Sequence, residues 1–88
     1  MTIEHHGKYR ALWEYLVDRT DAEITLSFTD IERILRFPLP ASSRRHVQHW
    51  HGYDGSAVAR AIADAGWRAR ATDLNGQRVT LYRLAKSR

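Results

Sequence analysis

Eighty-eight residues suffice for one domain with one modest core, and the absence of cysteine excludes disulfide frameworks and thiolate metal sites, in keeping with a reducing cytoplasm. A hydrophobic share of 43% argues against disorder, while no stretch reaches the roughly 20 apolar residues that span a bilayer and the start, Met1-Thr2-Ile3-Glu4-His5-His6, lacks the apolar core of a signal peptide. The formal charge of +4 invites a polyanionic partner without establishing one.

Tyr9, Leu12, Trp13, Leu16 and Val17 fall on one face at helical spacing, which predicts a first helix over about 8–19. Ile24-Thr25-Leu26-Ser27-Phe28 alternates apolar and polar and predicts a short half-buried strand. Thr29-Asp30-Ile31-Glu32 has the form of a capping box, followed by Ile31, Ile34 and Leu35 as the buried face of a second helix. Phe37-Pro38-Leu39-Pro40 ends it. A third helix is expected to begin between Ala41 and Ser43 and to carry Arg44, Arg45, His46, Gln48, His49 and Trp50. Residues 51–55 read as a loop, Ser56 as the N-cap of a further helix with Val58, Ala59, Ile62 and Ala65 inward, and Gly66 as its C-terminal stop.

Two strands close the chain, at about 67–73 and 78–84. A two-residue Asn75-Gly76 turn would mix polar and apolar residues on both faces. A three-residue loop, Leu74-Asn75-Gly76 with a left-handed glycine, pairs Ala71 with Val79 and Ala69 with Leu81. That register leaves Arg68, Arg70, Thr72, Arg78, Thr80 and Tyr82 on one exposed cationic face, and burial is expected to select it. The expected fold is α+β and winged-helix-like: three to four helices, a short strand after the first, and a C-terminal β-hairpin, in a single domain over 1–88 with flexible ends at 1–7 and 86–88.

The blocks Lys8-Tyr9 with Leu12, Leu26-Ser27-Phe28 with Ile31-Glu32 and Ile34-Leu35, Leu39-Pro40 with Ser42, and Ala65-Gly66-Trp67 resemble a widespread bacterial domain family of unknown function. Its members read K-Y-x-x-L, L-[ST]-F-x-x-I-E-x-I-L-G, L-P-x-S-A-R, W-W-x-N and A-G-[WY]. The chain departs from this pattern in having Arg36 for glycine, Ser43 for alanine and His49-Trp50-His51-Gly52 for the tryptophan block. The resemblance implies a fold similar to a winged helix and supplies no settled activity or catalytic residues. Winged helices serve as protein-interaction modules as well as DNA readers, so the fold alone fixes no function.

Charge is divided unequally. Residues 1–35 carry four basic and seven acidic groups, and residues 36–88 ten basic and three acidic. Twelve of the fourteen basic residues are arginine, whose forked donors suit phosphate and guanine. The expected contact segment is Ser42, Ser43, Arg44, Arg45, His46, Gln48 and His49, in the position of a recognition helix in the major groove. Its plain alternative is a solvated helix face. Arg68, Arg70, Asn75 and Arg78 of the hairpin, with Lys8 at the start of the first helix, are expected on the DNA backbone; the alternative is ordinary surface charge that guards a sheet edge. His46, His49 and His51 have no cysteine and no fixed outer shell and make a weak metal signal. Trp13, Trp50 and Trp67 are expected in the core rather than stacked on bases. No phosphate-cradling glycine loop or carboxylate–lysine cluster is present, so no enzyme, cofactor or small-molecule substrate is expected. The partner expected is double-stranded DNA, in the cytoplasm and at the nucleoid, with a homodimer or protein partner adding contacts. The rival is a protein-interaction adaptor.

Overall fold

The computed structural model describes residues 6–51 and 56–84. The expectations for the loop at 52–55, the N-terminal residues 1–5 and the C-terminal Lys86 and Arg88 lie outside the described residues. The elements run α1 (Arg10–Val17), β1 (Glu23–Ser27), α2 (Phe28–Leu35), a 3₁₀ turn (Ala41–Arg44), α3 (Gln48–His51), α4 (Ala57–Asp64), β2 (Trp67–Asp73) and β3 (Arg78–Arg83). Among the described residues this is an α+β fold with four helices and a three-stranded antiparallel sheet of order β1-β3-β2, an arrangement compatible with a winged-helix-like fold. None of the described helices is long and apolar enough to cross a membrane.

The core lies between the helices and the inner face of the sheet. Leu12 and Leu16 of α1, Phe28 and Ile31 of α2, Val58 and Ile62 of α4, and Val79 and Leu81 of β3 are buried together with Trp50 and Trp67. Trp50 stacks on Phe28 with ring centroids 5.1 Å apart. Both buried indoles find acceptors, Trp50 Nε1 at the Ser43 carbonyl (2.9 Å) and Trp67 Nε1 at the Leu16 carbonyl (3.0 Å), so neither donor is stranded in the core. Trp13 is half-buried against the cluster rather than within it.

Helix starts and stops explain several departures from expectation. The capping box of α2 is Ser27 with Asp30, not Thr29 with Glu32: Ser27 Oγ accepts from the Asp30 amide (2.9 Å) and Asp30 Oδ2 from the Ser27 amide (3.1 Å). Phe28 thus opens the helix instead of ending the strand, which sends its ring into the core. At the other end, Arg36 adopts a left-handed conformation (φ 68°), and its amide donates to the Glu32 carbonyl. Arg36 is the position at which the resembling family carries glycine. A left-handed turn explains that preference, because it is strained for any residue with a Cβ. Ser56 caps α4, and Gly66 (φ 87°) stops it, as expected.

The hairpin differs in register. Ala69 pairs with Leu81, but a bulge at Arg70 then shifts the ladder, so that Ala71 faces Thr80 and Thr72 faces Val79. The expected Ala71–Val79 pair does not form, and Thr72 joins the inner side, with its Oγ1 3.2 Å from His51 Nε2. The loop is four residues, Leu74 to Gln77, and the left-handed residue is Gln77 (φ 52°), not Gly76. Gly76 serves close approach instead. Its amide donates to Asp73 Oδ1 (2.9 Å), and a Cβ there would collide with the Asp73 carboxylate. The bulge inserts the one residue that lets both ends of β2 place a side chain inward.

Replacing Arg36 with glycine is expected to stabilise the domain by up to about 1 kcal/mol, since relief of the left-handed strain exceeds the added freedom of the unfolded chain. Urea unfolding at neutral pH measures it, and an Arg36→Ala variant should show no such gain.

Candidate nucleic-acid interface

The segment 42–49 does not form the single recognition helix expected for it. The 3₁₀ turn ends at Arg44, residues 45–47 break the helix, and α3 has a single turn. The cause is tertiary. Trp50 must reach Phe28, and its indole takes the Ser43 carbonyl, the group that would receive the Val47 amide in a continuous helix. Ser43 is fully buried, and its Oγ donates to the Pro40 carbonyl (2.6 Å), so it is a packing residue and not a contact. His49 is likewise buried: its Nδ1 lies 3.3 Å from Ser42 Oγ, and its carbonyl accepts from Ser56 Oγ. What this segment exposes is Ser42, Arg45, His46, Val47 and Gln48, with Arg44 half-exposed.

Arg44 is the joint of the site. Its Nη2 donates to Glu32 Oε2 (2.8 Å), and its Nη1 donates to Gln77 Oε1 at the hairpin turn (2.6 Å). Glu32 also accepts from the Leu39 amide (2.7 Å). One carboxylate and one guanidinium therefore bind together α2, the proline segment, the 3₁₀ turn and the hairpin. The Leu39 amide holds the Glu32 carboxyl below its ordinary range against the opposing cost of partial burial, and Arg44 adds to the lowering. Nothing in the sequence spacing marks this pair, which joins residues 12 apart.

The hairpin arginines are placed differently from one another. Arg70 crosses the outer face of the sheet over the Tyr82 ring and meets Glu23 of β1 (2.6 Å). Arg78 meets Asp73 (3.0 Å), beside the exposed Asn75 and Gly76. Arg68 is exposed at the start of β2, at the far end of the strand from the turn. Lys8 precedes α1 and sits over the Phe37 ring, 4.9 Å from its centroid. The expected unbroken cationic face is thus divided: Arg44, Arg70 and Arg78 have carboxylate partners, whereas Arg36, Arg45, Arg60 and Arg68 form no ion pair among the described residues. His46, His49 and His51 do not converge, and no group of three potential metal ligands occurs among the described residues.

These features sit inside a known sequence family. Residues 9–85 match the family described as a domain of unknown function (DUF7662). The chain belongs to that family. Its span takes in every described element, from α1 through β3. No curated protein and no solved structure matches the chain.

Two stability measurements test the geometry of this DUF7662 domain. Glu32→Ala is expected to cost about 1–3 kcal/mol at neutral pH, the range for a hydrogen-bonded charged group. Because the folded-state value is lowered, Glu32 stabilises fully above its ordinary value of 4.5, and that contribution fades as pH falls through the lowered one. The gap between variant and parent in urea unfolding should therefore narrow as the pH falls below 4.5. Burial lowers the pKa of His49 from 6.5, so the folded state favours the neutral ring. Its stabilisation is complete above 6.5 and declines as the pH drops from there toward the lowered value. The melting temperature should fall between pH 7 and 5.5, and His49→Asn, which retains an acceptor for Ser42, should lessen that fall.

Proposed function

We propose that this domain binds double-stranded DNA without chemistry of its own, using one surface built from the exposed residues of the segment 42–49 and the hairpin turn at 74–78. The observation that supports this reading best is the Arg44–Gln77 bond, which draws two stretches more than 30 positions apart in the chain into a single surface. Exposed Arg45, His46 and Gln48 follow Arg44 in the chain, and exposed Asn75 and Arg78 flank Gln77. The broken helix presents a short, irregular stretch rather than a long rod, which suits phosphate contact more than deep reading of base edges.

Charge pairing sets the expected strength. The Arg78–Asp73 pair is exposed, and such pairs contribute about 0–1 kcal/mol, so phosphate competes for Arg78 at little cost. Arg44 is more enclosed, at 33% exposure against 23% for Glu32, and it acts as a positioning residue. With roughly two to four phosphate contacts, the logarithm of affinity is expected to fall against the logarithm of salt with a slope on the order of −2 to −4. A single module buries about 600–1,000 Å² on DNA, which favours a homodimer or a protein partner. The corresponding location is the cytoplasm, at the nucleoid. The second reading, a protein-interaction adaptor, is favoured by the outer sheet face, where Arg70, Glu23 and the half-buried Tyr82 form a charge-balanced patch.

A titration against random duplex DNA at low and moderate salt separates the two. Binding that weakens steeply with salt supports the first; no binding at low salt sinks it. Arg45→Ala is the clean variant, because Arg45 is exposed and unpaired among the described residues. It should weaken duplex binding severalfold, reduce the salt slope by about 1 and leave the melting temperature unchanged. Arg44→Ala is expected to lower stability as well, since it strands Glu32.

A further inference from the structure

We infer that the cleft between α4 and the first residues of β2 is a phosphate-binding site, separate from the duplex surface proposed above. The cleft has a volume of about 370 Å³, within the range of roughly 300–1,000 Å³ that small-molecule sites occupy. Its lining includes Trp50, Ala59 and Ile62, all buried. Its rim is charged. Arg60 comes from one wall, on α4, and Arg68 from the other, on β2.

Three properties of these two arginines favour an anion between them. Both are exposed, and neither forms an ion pair among the described residues, in contrast to Arg44, Arg70 and Arg78. Both stand on regular elements that pack on each other, so the spacing of their backbones is set by the fold rather than by a loop. A planar guanidinium on each side can donate in pairs to the oxygens of one phosphoryl group, a geometry that lysine does not supply. Asp64 shares the rim, so the arginines and this carboxylate together carry a net charge of +1. That balance admits one small anion rather than a string of them. Ser56 and His51 add polar groups at the same cleft, and the His51 ring is oriented by its contact with Thr72.

The ligand class is a phosphate monoester or the phosphate of a nucleic-acid strand. The cleft lies about 16 Å along β2 from the hairpin turn, taking the five steps from Arg68 to Asp73 at 3.3 Å each, so the two sites can be lost independently.

Nuclear magnetic resonance of the ¹⁵N-labelled full chain tests the site, with inorganic phosphate and ribose 5-phosphate as probes, and ribose and chloride at matched ionic strength as controls. Saturable shifts confined to residues 50–51, 56–64 and 67–69, absent with ribose and chloride, are expected. The double variant Arg60→Ala, Arg68→Ala should lose at least tenfold in phosphate affinity and keep its melting temperature. Shifts that grow linearly without saturating, or equal affinity in the double variant, overturn the proposal. Adding a duplex of about 20 base pairs identifies the source: displacement of phosphate assigns the cleft to a nucleic-acid strand, and retention assigns it to a free phosphate monoester. The Arg45→Ala variant should bind phosphate as the parent does, so failure of the duplex reading leaves this result standing.

Discussion

The half-buried Glu32 carboxylate is the constraint on which the candidate surface depends. It accepts the Leu39 amide, which fixes how the chain leaves α2, and the Arg44 guanidinium, which fixes the 3₁₀ turn and through Gln77 the hairpin. Hydrogen bonds to an ionised group are shorter and stronger than neutral ones, and partial enclosure limits screening by salt. Without this carboxylate, the proline segment and the hairpin turn would be joined to the helices by the packing of Phe37, Leu39 and Leu74 on the core and by backbone bonds such as that from the Phe28 amide to the Gln77 carbonyl. The site is consequently a product of tertiary structure, assembled from four segments none of which is long.

Much of the architecture was legible because amphipathic spacing leaves little choice. Leu12 and Leu16, Val58 and Ile62, and the alternation through Val79 and Leu81 each mark a buried face that only one element type can present. The misread features are those decided by a single competing bond. Ser27 and Thr29 both precede a carboxylate by three positions, and only the requirement to bury Phe28 selects the former as cap. The continuous helix over 42–49 fails because the Trp50 indole claims the Ser43 carbonyl. Gln77 takes the left-handed position for which Gly76 seemed suited, as Gly76 must lie against Asp73.

The unequal charge of the two halves has a partly internal meaning. Arg44 pairs with Glu32 and Arg70 with Glu23, while Arg83 donates to the carbonyls of Thr20 and Asp21. In each case a basic group of the second half meets the first half. Charge counted along the chain overstates the positive potential offered to a partner, because folding brings the acidic early elements under some of the later arginines. The cations that remain among the described residues, Arg36 at the end of α2, Arg45 after the 3₁₀ turn and Arg60 with Arg68 at the cleft, are those that the pairing leaves to solvent.

The bulge at Arg70 has a bearing on how the molecule behaves in a crowd. β2 is a border strand of the sheet, and an unbroken border is a template onto which another polypeptide can zip. Here the ladder skips a beat midway, and the guanidinium groups of Arg68 and Arg70 stand before the skip and at it. A neighbouring chain laid along this rim would fall out of step after two or three residues and meet positive charge as it did so. The same irregularity that misaligned the strand alternation thus discourages rim-to-rim stacking, and it favours solubility at high concentration.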